Sequence, residues 1–313
     1  MRMLWAICVA LLLPVAANAA REDIALTFDD LPALTLLKSQ AYVNYANETI
    51  LRGLKRHHYP AIGFVNEGKF DDLVRAEQIE ILQKWLDAGM TLGNHTYSHS
   101  TPNQINAEGY IDDIERGEQV TRPMLAARKM ELCWFRHPYL ETGVPEQEKN
   151  KIDHWLTEHG YRIAPVTMEN SDWMFAEPYD DAIARHDDAR VAHIRKSYLD
   201  YTEKMVVWHQ NAAHTLLGRP FSYVMLLHST RLNADAFEAL VAIIKRHNLR
   251  PVTLEKAMRD PAYKIHDPYV GPEGVEWLER WSLELHKDLP WESYSEPPED
   301  IHAEYQRVDN DGR

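Results

Sequence analysis

Apolar and polar positions follow two rhythms along most of this chain. Short runs dense in β-branched and aromatic residues alternate with longer stretches where apolar residues return every three or four positions. The first rhythm fits strands and the second amphipathic helices. Ile24–Phe28 reads as a strand, Tyr42–Lys55 as a helix and Ala61–Val65 as a strand. Arg75–Ala88 follows as a helix, with Ile79, Leu82 and Leu86 on one face and Gly89 at its end. Met90–Leu92 is a strand, and Asn106–Ala127 a helix with Tyr110, Ile111 and Ile114 at core spacing. Leu132–Phe135 (strand), Glu146–His159 (helix) and Tyr161–Val166 (strand) continue the series. A long polar helical stretch covers Asp180–Leu216. Then come strand Tyr223–Leu227, helix Asp235–His247, the short strand Pro251–Val252 and helix Leu254–Arg259.

Repeated strand–helix units predict a parallel sheet with covering helices. About seven units in ~240 residues fit a distorted (β/α)-barrel of about seven strands, given that an eight-unit barrel takes ~250. An open doubly wound sheet is the alternative. Barrels of this kind carry their chemistry at the C-terminal ends of strands. Asp29-Asp30, His95, Arg136, Asp172 and His228 all fall at or just past such ends. After about Tyr263, Pro, Glu and Trp dominate. Gly274–His286 reads as a short helix packing through Trp277, Leu278 and Trp281, and the last ~20 residues, lacking apolar periodicity, as loose.

The extreme N-terminus breaks the pattern. Arg2, an apolar run from Leu4 to Val15 and then Ala17-Asn18-Ala19 fit a secretory signal peptide cleaved near Ala19. The run is short for a membrane span, so the mature chain is expected to be secreted or periplasmic with no integral span. The expected organisation is residues 1–19 as signal, 20–263 as barrel and 264–313 as a C-terminal extension. A formal net charge of −14 over 313 residues argues against nucleic acid as partner. Of the two cysteines, Cys8 lies in the signal. Cys133 is then alone, reads as core, and leaves the fold no internal disulfide.

Five segments carry candidate chemistry. "TFDD" sets Asp29 and Asp30 after an apolar strand. Neighbouring side chains of extended chain point apart, so one carboxylate can bind a metal while the other handles a proton. "NHTYSH" spaces His95 and His99 four apart, which on a helix or tight turn puts both imidazoles on one face. Alone that spacing is weak; with a carboxylate from another strand end it becomes an Asp/His/His set with an open position, as catalytic zinc sites have. "FRHPYL" presents Arg136, able to pair with a buried carboxylate, before the bend at Pro138. "ENSDWMF" supplies Asp172 and Trp173, and "MLLHST" ends an apolar strand on His228, which by itself fits a satisfied core histidine equally well.

These five segments, in this order, resemble the polysaccharide deacetylase family, the NodB-homology or carbohydrate esterase family 4 group. The likeness runs from Ile24 to His228. It implies Asp29 as catalytic base, Asp30, His95 and His99 as metal ligands, and Arg136 as the residue that orients the base. It also implies His228 as general acid tuned by Asp172, a backbone N–H of Tyr139 holding the oxyanion, and Trp173 and Leu226 lining an acetyl pocket. The cofactor implied is a divalent metal, Zn²⁺ with Co²⁺ or Ni²⁺ as alternatives. The partner implied is an acetylated glycan, and the reaction hydrolysis of an N-acetyl group from a chitin-like polymer or peptidoglycan. An acetyl-xylan type O-esterase and a non-catalytic carbohydrate-binding protein are the competing readings; oligomeric state is left open. Three departures stand out: Glu169 where the family has Asp, "LLHST" around His228 rather than His followed by Asp, and the long helical stretch from Glu177 to Pro220.

Overall fold

The computed structural model describes residues 21–309; the expected signal peptide lies outside the described residues. At its centre is β1 (Glu22–Leu31), whose last eight residues are all buried. A strand covered on both faces reads as a continuous apolar run rather than an alternating one, as "IALTF" does. On one side β1 pairs in parallel with β6 (Ser222–His228), Asp29 standing opposite His228. On the other it pairs first with β7 (Leu249–Pro251) and then with β2 (Ala61–Val65). The sheet continues through β3 (Thr91–Asn94), β4 (Trp134–Phe135) and β5 (Arg162–Ile163), all parallel. Just past β5 the chain returns to β6 through the bridge Met168–Met225, with Thr167 N–H donating to Val224 O at 3.0 Å and Leu226 N–H to Met168 O at 2.9 Å. The sheet thus curls into a half-barrel whose ends meet at this single bridge, the expected distorted barrel rather than an open sheet.

Helices cover the outside. α1 (Gln40–His57) buries Val43, Ala46, Ile50, Leu51 and Leu54 and is capped by the Ser39 side chain. It lies against α8 (Arg231–Arg246) so closely that a Cβ on Gly53 would sit 2.3 Å from the Phe237 ring. α2 (Arg75–Asp87) seats Trp85 in the core, where its indole donates to Asn47 at 2.8 Å. α5 (Glu146–Glu158) and α9 (Leu254–Ala257) fall within their expected spans.

Two long helical expectations divide. Asn106–Ala127 is α3 (Pro102–Arg116) followed by α4 (Thr121–Ala126). The start of α4 is held by the distant Glu67, whose carboxylate accepts from Val120 and Thr121 N–H at 2.7–3.0 Å. Asp180–Leu216 is α6 (Asp172–Ala184) and α7 (Asp188–Leu217), with Asp187 capping the Arg190 N–H at 2.9 Å. In the extension, α10 (Trp277–Leu285) buries Trp277, Leu278 and Trp281 as expected. The final stretch departs from expectation: it forms α11 (Glu299–Val308), docked on α6. Ile301 is its one buried residue, and ion pairs Arg190–Glu304 and Arg307–Asp181 hold the polar side. A single apolar anchor leaves no periodicity to read, so the docking is invisible in the pattern. Among the described residues no helix is long and apolar enough to cross a membrane.

Candidate active site

The site begins where β1 ends. Asp30 has φ +64, a left-handed conformation that non-glycine residues seldom adopt, and the register with β2 shifts between Phe28 and Leu31. This change of hand breaks the up-down alternation of the strand. Asp29 and Asp30 therefore line the same cavity, although neighbours on an extended strand would diverge.

His95 and His99 follow β3 on a loop, not a helix. Thr96 (φ +66) and His99 (φ +61) turn the chain back on itself. Ser98 N–H donates to the Asp113 carboxylate at 2.9 Å, and the Thr96 hydroxyl accepts from His99 N–H at 3.0 Å. The two imidazoles end 5.0 Å apart, centroid to centroid. His99 Nε2 is 3.2 Å from Asp30 Oδ1 and His95 Nε2 is 3.6 Å from it. Donors around one tetrahedral zinc stand roughly 3.4 Å apart, given Zn–N of ~2.0–2.1 Å. His95 Nδ1 bonds the Arg136 carbonyl at 2.8 Å, which fixes the tautomer and leaves the lone pair on Nε2. Burial, with His99 beside it, lowers the His95 pKa to about 4 against the pull of Asp29 and Asp30, so the ring is neutral. Asp30 Oδ1 is buried without a hydrogen-bond partner, as a ligand atom facing a cation would be. Burial opposes its ionisation, yet His99, Lys69, His228 and His95 together hold the carboxyl far below the usual range. The donor set thus fits a divalent ion.

Two charged pairs flank this set. Arg136, fully buried, donates to Asp29 at 3.0 and 3.3 Å from Nη1, to Ala164 O at 2.7 Å from Nε and to the Thr27 hydroxyl at 3.2 Å. Its guanidinium lies over the Phe64 ring at 4.8 Å. Across the cavity, His228 Nδ1 is 2.7 Å from Asp172 Oδ1, and Asp172 Oδ2 accepts from the His228 backbone N–H at 2.7 Å. Asn233 donates to both Asp172 and the His228 carbonyl. Burial would strip the proton from His228, but Asp172's charge and hydrogen bond, aided by Asp30 and Asp29, raise its pKa to about 9.

Asp29, Asp30, His95, His99, Tyr139, Trp173, Leu226 and His228 line one cavity of about 460 Å³; Arg136 and Asp172 stand directly behind Asp29 and His228. All ten expected residues are therefore brought together. Tyr139, at φ +57, packs its ring edge-on to His99 at 4.3 Å. His137, next to Arg136, is buried against Tyr110, and Tyr97 lies under Arg116 outside the cavity lining.

Sequence reasoning missed three contributors. Lys69, just past β2, sets its ammonium 3.1 Å from Asp30 Oδ2; its place after a strand end was the available signal. Asn233 gave no signal. The extension supplies much of the outer wall, including Glu273, Gly274, Glu276, Leu289, Trp291, Tyr294 and Tyr305, with Trp208 from α7 beside them.

Comparison with known proteins places these observations. The family profile described as polysaccharide deacetylase matches residues 16–164. A peptidoglycan-N-acetylglucosamine deacetylase of Bacillus cereus is 26% identical over 156 residues, 49% of this chain and 47% of that one, so the chain spans about half the length of this curated relative. Among solved structures, a family 4 carbohydrate esterase from Streptomyces lividans in complex with acetate matches with a TM-score of 0.50 and 18% identity, covering 76% of this chain and 97% of that one. A mutant of a family 4 pseudoenzyme from Bacillus anthracis matches with a TM-score of 0.51 and 18% identity, covering 76% and 67%. These solved structures speak to the fold.

Proposed function

We propose that this chain, whose residues 16–164 match the polysaccharide deacetylase profile, is a metal-dependent hydrolase removing acetyl groups from N-acetylated sugars of a polysaccharide or oligosaccharide. One observation carries the reading. A carboxylate oriented by a buried arginine (Asp29–Arg136) and an imidazolium held by a carboxylate (His228–Asp172) flank a fitting Asp30/His95/His99 set in a single cavity. Metal binding alone requires neither flanking pair. The fold is also shared by a pseudoenzyme, so the pairs, not the barrel, separate catalysis from mere binding.

The chemistry follows from what an amide needs: an activated water, a stabilised oxyanion and a protonated leaving amine. A divalent ion held by Asp30, His95 and His99 would polarise the acetyl carbonyl and lower the pKa of a bound water. Asp29, oriented by the hydrogen bonds from Arg136, takes the water proton. The Tyr139 backbone N–H is the oxyanion donor in this reading, the kind of preorganised dipole that contributes most in such sites. His228, charged at neutral pH, passes its proton to the departing nitrogen. Residues of opposite proton affinity facing one substrate give the base and acid assignments.

Acetate release from a panel of acetylated glycans tests the reading. Chelation should abolish it and Zn²⁺, Co²⁺ or Ni²⁺ restore it; full turnover by metal-free protein would exclude the metal. O-deacetylation is the second reading, favoured by the fact that a sugar alkoxide leaves without the proton an amine demands. His228→Ala should then retain more activity on acetylated xylan than on N-acetylglucosamine oligomers. We read residues 20–263 as the deacetylase unit and the mature protein as exported; N-terminal sequencing of exported protein should find a start near Ala20.

A further inference from the structure

We infer that the C-terminal extension clamps the loop carrying Tyr139, with Arg280 as the positioning residue; this rests on the deacetylase reading for Tyr139's role. The loop after β4 is conformationally demanding. Tyr139 (φ +57) and its neighbour Leu140 (φ +61) both stand in the left-handed region, which disfavours residues bearing a Cβ. Such a stretch persists only where its surroundings over-determine it. Here the surroundings are the extension.

Arg280, on α10, is fully buried. Its Nη2 donates to Leu140 O at 2.7 Å, and its Nη1 to the Thr142 hydroxyl at 3.2 Å and to Asp267 Oδ2 at 2.9 Å. Nε donates to Val275 O at 2.7 Å, and the guanidinium lies 4.2 Å from the Trp277 ring centre. Each arm of the rigid fork is used, so the loop and the extension share one cation. Lys149 steadies Asp267 from α5 at 3.1 Å. A second contact is independent of Arg280. Gly274 presses its backbone on the Tyr139 carbonyl so closely that a Cβ there would stand 1.7 Å from the oxygen. Asn103 ties the two strands of the contact, donating to Glu141 at 2.9 Å and to Pro272 O at 3.0 Å. An oxyanion donor works only if its N–H is fixed in advance. Residues far along the chain from the five motifs therefore set the backbone of the third.

The test uses Gly274→Ala and Arg280→Lys in the full chain, with Arg280→Ala as the severe variant. Gly274→Ala should lower kcat by roughly tenfold or more, short of the ~10²–10³-fold for losing an oxyanion donor outright. KM and metal stoichiometry should stay near wild type, since an interaction made only in the transition state leaves ground-state binding alone. Arg280→Lys, which keeps the charge but not the fork, should lose less than Arg280→Ala. Amide hydrogen exchange is the second readout. Residues 139–142 should exchange faster in Gly274→Ala and Arg280→Lys, with β1 and β6 unaltered. Wild-type exchange at 139–142 in both folded variants, or wild-type kcat in both, would overturn the clamp. If wild-type protein releases acetate from no acetylated substrate, the deacetylase reading falls, and the exchange measurement still decides whether the loop is clamped.

Discussion

Asp29 and Asp30 are neighbours in sequence with opposite surroundings, because the backbone changes hand between them. Asp29 takes two hydrogen bonds from one guanidinium, with the His95 ring farther off at 3.8 Å; Asp30 faces two imidazoles and an ammonium. Asp29→Asn keeps the shape and removes the proton acceptor. Its kcat should fall by at least ~10²-fold, the lower end for a positioned base, and near-normal turnover in a steady-state assay would contradict that role. His228 carries a prediction of its own. As an acid it works only when protonated, and its pKa is raised to about 9, so activity should persist below that value and fade as pH climbs through it. Asp172→Asn removes the main support of that charge. The alkaline limb of the kcat/KM–pH profile should then move down towards ~6.5, the ordinary imidazole value. An unmoved limb would mean that another group governs it.

Elements were legible where local pattern decides them. Ala61–Val65 needs only its own β-branched and apolar residues, and it forms as read. Boundaries escaped wherever a distant group intervenes. Nothing between Asn106 and Ala127 announces that Glu67 will cap a second helix at Thr121, and nothing near Asp30 announces a left-handed residue. Much of the candidate site was legible because Asp29, Asp30, His95, Arg136 and His228 are chemically particular residue types at or just past strand ends; Lys69, Asn233 and Arg280 are common residue types whose place only the packing reveals. The same reasoning explains α11, which rests on Ile301 and a few ion pairs. Exposed ion pairs contribute little each, so the buried side chain should dominate. Ile301→Ala should lower the unfolding free energy by about 2 kcal/mol or more, as buried Ile→Ala changes do. A denaturant midpoint equal to wild type would show that the helix is not docked.

The whole molecule is acidic, at −14, and the cavity repeats that bias. Glu141, Glu169, Glu177, Glu273, Glu276 and Glu279 are among its lining residues. Burial, with the Glu276 carboxylate nearby, lifts the Glu169 pKa to about 7. Such a field repels polyanions. Neutral acetylated oligomers should therefore show higher kcat/KM than glycans of equal length bearing carboxylates, and the gap should narrow as salt is added. Equal values at low salt would remove electrostatics from substrate choice. The walls also have an order in time. Glu273 to Tyr305 follow every barrel strand in the chain, so during synthesis the proposed cation-binding and proton-transfer groups leave the ribosome before the surface that encloses them. A nascent chain can gather its reactive core early, but it acquires a finished doorway for substrate only after that late segment folds back across the mouth.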